Sequence, residues 1–244
     1  MAKNYGSTIG EAIGTLVEKT IFEKVKEAVT SYDATVASEN VRNGFGNLHQ
    51  IDLVVKDNQG NPVILIEPKY LRYTKHNWDK GSHICMTHYL IRRSIKTIRK
   101  SIAVLAESWT DNSVRFIEST GVEVYRVPFE DIVEILSNYR VDFEWRERDE
   151  AKPKRAWEAF QKLTPKQRKS IGDSLTHRIM PNILRSVKEA LSGGPFKPRG
   201  IAEVELTIRT SHNEFLSAQF GNVKEAMKYL LDLQTDKEDI SENF

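Results

Sequence analysis

The chain has 244 residues, 29% of them charged, with a net charge of +2 and one cysteine. It is long enough to bury a sizeable core, it cannot form an internal disulfide, and its overall charge does not by itself announce a nucleic-acid partner. No apolar run approaches the roughly 20 residues that span a bilayer, and the opening MAKNYGSTIGEAIG lacks the apolar stretch of about 7 to 15 residues of a secretory leader, so a cytoplasmic protein without a membrane segment is expected.

Residues 8–30 repeat with a helical period that puts Gly10, Gly14, Val17, Ile21, Val25 and Ala28 on one face, and the two glycines allow close approach to a sheet. A strand is expected over 34–39 and a Gly- and Asn-rich loop over 40–47. Next comes IDLVVKDNQGNPVILIEPKY, residues 51–70, two apolar runs joined by the hairpin signal DNQGNP. Residues 82–98 read as an amphipathic helix with a cationic flank. Beyond it the pattern predicts strands at 101–106 and 121–128, a crossover helix at 113–119, a helix over FEDIVEILSNY and an edge strand at 141–145. Strands separated by helices point to a mixed α/β sheet.

The charged stretch 146–155 predicts a boundary, with a core domain over 1–150 and a mainly helical C-terminal region over 151–244 that serves recognition or dimerisation. Within that region, helices are expected over 155–191, a loop at 193–200, a half-exposed strand at 201–209 and a frayed end from 234.

An aspartate, a glutamate and a lysine stand inside or at the end of the apolar runs of residues 51–70. An unpaired charge buried there costs several kcal/mol or shifts its pKa until it is neutral. Alternation puts Glu67 and Lys69 on one side of their strand. A hairpin turning symmetrically about Gln59 and Gly60 pairs positions that sum to 119, which sets Asp52 opposite Glu67, with Cβ atoms about 4.5 to 5.5 Å apart. Two such carboxylates repel unless a cation lies between them, and oxygen ligands suit Mg²⁺, with Mn²⁺ able to substitute. Lys69 then stands beside the metal, where it can position or activate water; the bland alternative is a structural Glu67–Lys69 ion pair.

From Lys69 to Lys100 nine Lys and Arg residues face one acid, Asp79. A solvated helix face is the ordinary explanation of such a block. Its start inside the Glu-Pro-Lys triplet instead suggests phosphate contacts from Arg72, Lys75, Arg92, Arg93 and Lys96, with Arg42 and Asn43 in the loop before the hairpin reading sequence. His76, His83, Cys85 and His88 do not reproduce a zinc spacing. Trp109, Trp145 and Trp157 read as packing residues, and no G-x-x-x-x-G-K-[ST] stretch is present.

Asp52, fourteen residues, then Glu67, Pro68 and Lys69, all after an N-terminal helix, resembles the PD-(D/E)XK nuclease superfamily, the fold of many restriction endonucleases and archaeal Holliday-junction resolvases. The resemblance covers about residues 8–128, with Ile51 where the family name has a proline. It implies a restriction-endonuclease-like core ordered helix, three-stranded meander, helix, strand. It also implies that Asp52 and Glu67 hold one or two divalent metals, that the Pro68 carbonyl adds a ligand and that Lys69 orients the attacking water. Glu18, in the setting Gly14 to Glu18 (GTLVE), would be the helix carboxylate, with Glu11 as the alternative. The implied activity is that of a Mg²⁺-dependent DNA endonuclease, foremost a type II restriction enzyme acting on double-stranded DNA as a homodimer. A structure-specific recombination or repair nuclease and a non-catalytic nucleic-acid-binding protein on the same fold are the alternatives.

Overall fold

The structure, a computed structural model, describes residues 4–146, 149–192 and 200–235. Helix α1 (Tyr5–Val29) starts at Asn4, whose side chain accepts a hydrogen bond from the Ser7 amide at 3.1 Å and so satisfies one of the open donors of the first turn. The chain then forms an antiparallel meander of β1 (Thr35–Arg42), β2 (Leu48–Lys56) and β3 (Pro62–Leu71). Helix α2 (Asn77–Ser94) crosses over to β4 (Lys100–Glu107), and α3 (Asp111–Ser119) to β5 (Glu123–Pro128), both strands running parallel to β3. The sheet order is β1-β2-β3-β4-β5, a mixed α/β fold as the alternation of elements predicted.

One face of this sheet packs on α2 and α3 through Leu71, Ile84, Ala103, Leu105 and Ile117. The other packs on α1 and α4 (Phe129–Ser137) through Ile13, Val17, Ile66, Val104 and Ile132. Two glycines set the depth of α1 against the sheet. A Cβ on Gly10 would lie 2.5 Å from the Tyr70 ring, and one on Gly14 would lie 2.9 Å from the Tyr70 Cβ.

Three expectations are corrected. The boundary does not fall at 146–155, a stretch in which residues 147 and 148 lie outside the described ones. Helices α5 (Ala151–Gln161), α6 (Pro165–Thr176) and α7 (Met180–Ser192) share one core with α1, burying Phe160, Ile171, Ile183 and Val187. The chain divides instead into Met1–Pro195 and Phe196–Phe244. The physical reason is that α1 is apolar around more than the sheet-facing stripe, and the added helices cover the rest.

Residues 141–145 are not a strand: Val141 and Phe143 are buried in irregular chain. And α2 ends at Ser94, not 98, because Ile95 turns to extended backbone.

The second unit contains an antiparallel hairpin of β6 (Val204–Arg209) and β7 (Phe215–Phe220), followed by α8 (Val223–Thr235). Phe220 and Tyr229 bring their rings 5.1 Å apart across it. The expected loop at 193–200, except its last residue, and the expected frayed end beyond 235 lie outside the described residues. Among the described residues no helix is long and apolar enough to cross a membrane.

Replacing Gly10 by Ala tests the packing of α1. Helix propensity alone favours the variant by about 1 kcal/mol, but the added methyl meets the half-buried Tyr70 ring, an overpacking cost of about 1 to 3 kcal/mol. Denaturant unfolding should show a net loss of stability, and a gain would mean that the ring moves aside.

Candidate active site

The site forms where the sheet opens. Strands β2 and β3 pair through Leu53 with Ile66, Val54 with Leu65 and Val55 with Ile64, the register in which positions sum to 119. A bulge between Val55 and Lys56 absorbs the asymmetry of the turn, whose Asp57 accepts hydrogen bonds from the Gln59 and Asn61 amides. Pairing between the strands ends at Leu53 and Ile66, one position short of Asp52 and Glu67. Pro68 therefore sits in the central strand and not at an edge or bulge, at a point where β2 has already parted from β3 and asks no ladder bond of it.

Asp52, Glu67 and Lys69 come together as expected. The Lys69 Nζ lies 3.0 Å from Asp52 Oδ2 and 3.0 Å from Glu67 Oε1. Glu67 is 1% exposed, and its other oxygen, Oε2, is 2.9 Å from Nε2 of His88, which has no exposed surface. Since the His88 Nδ1 is buried without a partner, the proton is assigned to Nε2, which then donates to the carboxylate; an unpaired lone pair is tolerated better than an unpaired N–H.

Burial works against the charge of Glu67, but the His88 hydrogen bond and the Lys69 ammonium outweigh it and hold the carboxyl at about 2. Burial likewise pulls Lys69 down, and the two carboxylates more than compensate, so its pKa is raised and it stays an ammonium.

Glu18 belongs to the same electrostatic unit. Burial and the charge of Asp52 raise its pKa against the opposing pull of Lys69. With Pro68, Lys69, Tyr70 and Glu11 it lines a cleft of about 390 Å³. Among the described residues no three His, Cys, Asp or Glu side chains form a preassembled metal cluster; the Lys69 ammonium takes the cation position. Even so, three carboxylates against one ammonium leave −3 + 1 = −2, a deficit that fits a divalent cation.

His88 lies outside the Asp52, Glu67 and Lys69 motif and reads in the sequence as one of several histidines without a zinc spacing. A signal for it exists: His88 falls four residues after Ile84 and three before Ile91, on the buried stripe of α2. His83, exposed on the same helix, comes to 4.0 Å from Glu67 Oε1.

The cationic residues divide. Arg72 is not available to phosphate. Its guanidinium pairs with buried Glu107, donates to the Phe143 carbonyl and lies 4.3 to 4.8 Å from the ring centroids of Phe129, Phe143 and Trp145. Burial pushes the Glu107 carboxyl up to about 7 against the pull of Arg72. Arg92 is also consumed, donating to the carbonyls of Thr120 and Gly121 beyond α3. Asn43 is 4% exposed and braces its own loop, accepting from the Phe45 and Asn47 amides, so it does not read bases. Arg42, Lys75, Arg93 and Lys96 are exposed.

No protein-family profile matches the chain, and no curated protein sequence does. The crystal structure of a protein of unknown function, AF1548, is similar at 11% identity over 72% of this chain and 100% of that one, with a TM-score of 0.32, a likeness too weak to define a family.

His88→Leu should cost on the order of 3 kcal/mol at neutral pH, because it strands one oxygen of a buried carboxylate; His88→Gln, which keeps an N–H donor, should cost less. Equal losses would separate the effect from the hydrogen bond. Because Glu67 titrates near 2 when folded, against 4.5 for the free group, its stabilisation is complete above about pH 4.5 and is lost as the pH falls towards 2. Glu67→Gln should flatten that acid limb in a series of unfolding curves.

Proposed function

We propose that this chain is a Mg²⁺-dependent endodeoxyribonuclease of the PD-(D/E)XK type that cuts duplex DNA as type II restriction enzymes do. The observation that carries the reading is the meeting of Asp52 and Glu67 on one ammonium, Lys69, at the point where β2 leaves β3. The element order α1-β1-β2-β3-α2-β4, which is the core order the motif implied, supports it.

Asp52, Glu67 and Glu18, with the Pro68 carbonyl, would hold the cation, which supplies Lewis-acid polarisation of the phosphodiester and neutralises its charge. Lys69, with three donors, orients a water for in-line attack. His88 keeps Glu67 charged and aimed. Arg42, Lys75, Arg93 and Lys96 contact phosphates and position the duplex. Because one such site cuts one strand, the cutting form is a two-fold homodimer.

Plasmid DNA incubated with the protein and Mg²⁺ should yield discrete fragments. Glu67→Gln and Lys69→Met should each lower the rate by about 100-fold or more while still binding DNA in Ca²⁺. Cleavage restricted to branched substrates would move the reading to a recombination nuclease. The absence of Mg²⁺-dependent cleavage of any DNA would leave a binding protein.

Salt dependence tests the revised cationic set. Each phosphate contact contributes about −0.9 to the slope of log affinity against log salt, so replacing Arg93 and Lys96 together by Ala should flatten it by up to about 2. Arg92→Ala should leave the slope unchanged and lower stability, since its guanidinium is committed to the chain beyond α3. A slope change with Arg92→Ala alone would reverse that division.

A further inference from the structure

The turn between β1 and β2 presents an aromatic ring to solvent: Phe45 is 76% exposed. An apolar ring on a loose loop can fold back onto the surface, but this turn is braced. The Asn43 amide is 2.9 Å from Asn47 O and the Gly46 amide 3.0 Å from Asn43 O. Asn43 Oδ1 accepts from the Phe45 and Asn47 amides at 2.9 and 3.1 Å, and its Nδ2 meets His49 Nε2 at 2.9 Å. Arg42 donates to the Gly46 carbonyl at 2.6 Å. Finally the Gly44 amide donates to Ser94 Oγ at 2.6 Å, fastening the turn to the end of α2.

What surrounds the ring indicates its partner. The two segments joined at Gly44 and Ser94 contain no Asp or Glu between Asn40 and Ile51 or between Lys80 and Lys100, whereas Arg42, Arg93 and Lys96 are all exposed there. This is the charge complement of a polyanion. From the turn, the outward residues Arg93, Tyr89, Met86 and His83 run back along α2 at helical spacing, and His83 ends 4.0 Å from Glu67 Oε1. The eleven helical steps from His83 to Ser94 span about 16 Å. At about 3.4 Å per nucleotide of duplex, that length of helix matches roughly five nucleotides.

We propose that the β1–β2 turn is a base-stacking contact to DNA, with Phe45 set against a base or base step that it unstacks and Arg42 and Arg93 on the flanking phosphates. The proposal rests on the endonuclease reading and adds to it a fixed point of DNA distortion away from the cut. Stacking of this kind tolerates any base, because every base has a π-face.

The test uses the full chain and short duplexes in which a single 2-aminopurine is stepped along one strand, bound in Ca²⁺ across a salt series. With the wild type, fluorescence should rise at one position, reporting an unstacked base. Phe45→Ser should abolish the rise and weaken binding about tenfold with the salt slope unchanged, since a ring displaces no counterions. Phe45→Trp should restore both, and the thermal stability of all three should agree because the ring buries little. If Phe45→Ser keeps both the rise and wild-type affinity in a protein that still cuts DNA, this inference falls alone. A wild type that neither binds nor cuts DNA brings down the endonuclease reading as well.

Discussion

A carboxylate with 1% of its surface in water must have both oxygens engaged, and Glu67 organises its surroundings on those terms. One oxygen is met by His88 from α2, the other by Lys69 from the same strand, and Lys69 in turn reaches Asp52 on β2. Left unpaired, that charge would cost several kcal/mol or be lost to protonation. The pairing is incomplete in one respect. Counting Glu18, the locus still carries two more negative than positive charges, and the pKa of Glu18 is raised first by burial and then by the charge of Asp52. The same electrostatic demand that stabilises the fold therefore leaves a negative excess, which the proposed cation would neutralise.

The strand that carries these charges is itself anchored just beyond them. Tyr70 lies against Gly10 and Gly14 of α1, and Arg72 is locked among Phe129, Phe143, Trp145 and Glu107. Glu67 and Lys69 are thus held between the sheet ladder with β4 and two aromatic contacts within three residues. Helix α1 completes the support from both sides, facing the sheet with one stripe and α5, α6 and α7 with another; at Gly172 the approach of α6 is so close that a Cβ would strike Thr20 Oγ1. Charged groups on such a frame are positioned by rigid elements and not by loops.

The basic block between Lys69 and Lys100 shows how a charge count differs from a binding surface. Arg72 and Arg92 spend their donors on internal partners, Arg99 donates to the Ala190 carbonyl, and Lys100 pairs with Glu123 and Glu189. Long cationic side chains have apolar stems and planar or compact heads that pack and cap inside a protein as readily as they face water. Composition records the charge and not the direction of its tip.

Much of the core was legible in the sequence because its signals are short-ranged. Two continuous apolar runs marked β2 and β3, a turn of Asp, Asn and Gly joined them, and the 119 register followed from counting residues around that turn; the glycine spacing of α1 announced its close approach to the sheet. Those patterns were enough to bring Asp52, Glu67 and Lys69 to one place. What they could not carry is the identity of partners distant in sequence: that His88, 21 residues after Glu67, supplies the hydrogen bond, that Arg72 turns inward to Phe143 and Glu107, that residues 141–145 pack as irregular chain instead of a strand, and that α5 to α7 belong to the core because α1 had an apolar face left to cover. Periodicity and turn chemistry act over a few residues and are written locally, whereas the burial of a charge or of a second helix face is settled only when the rest of the chain has folded around it.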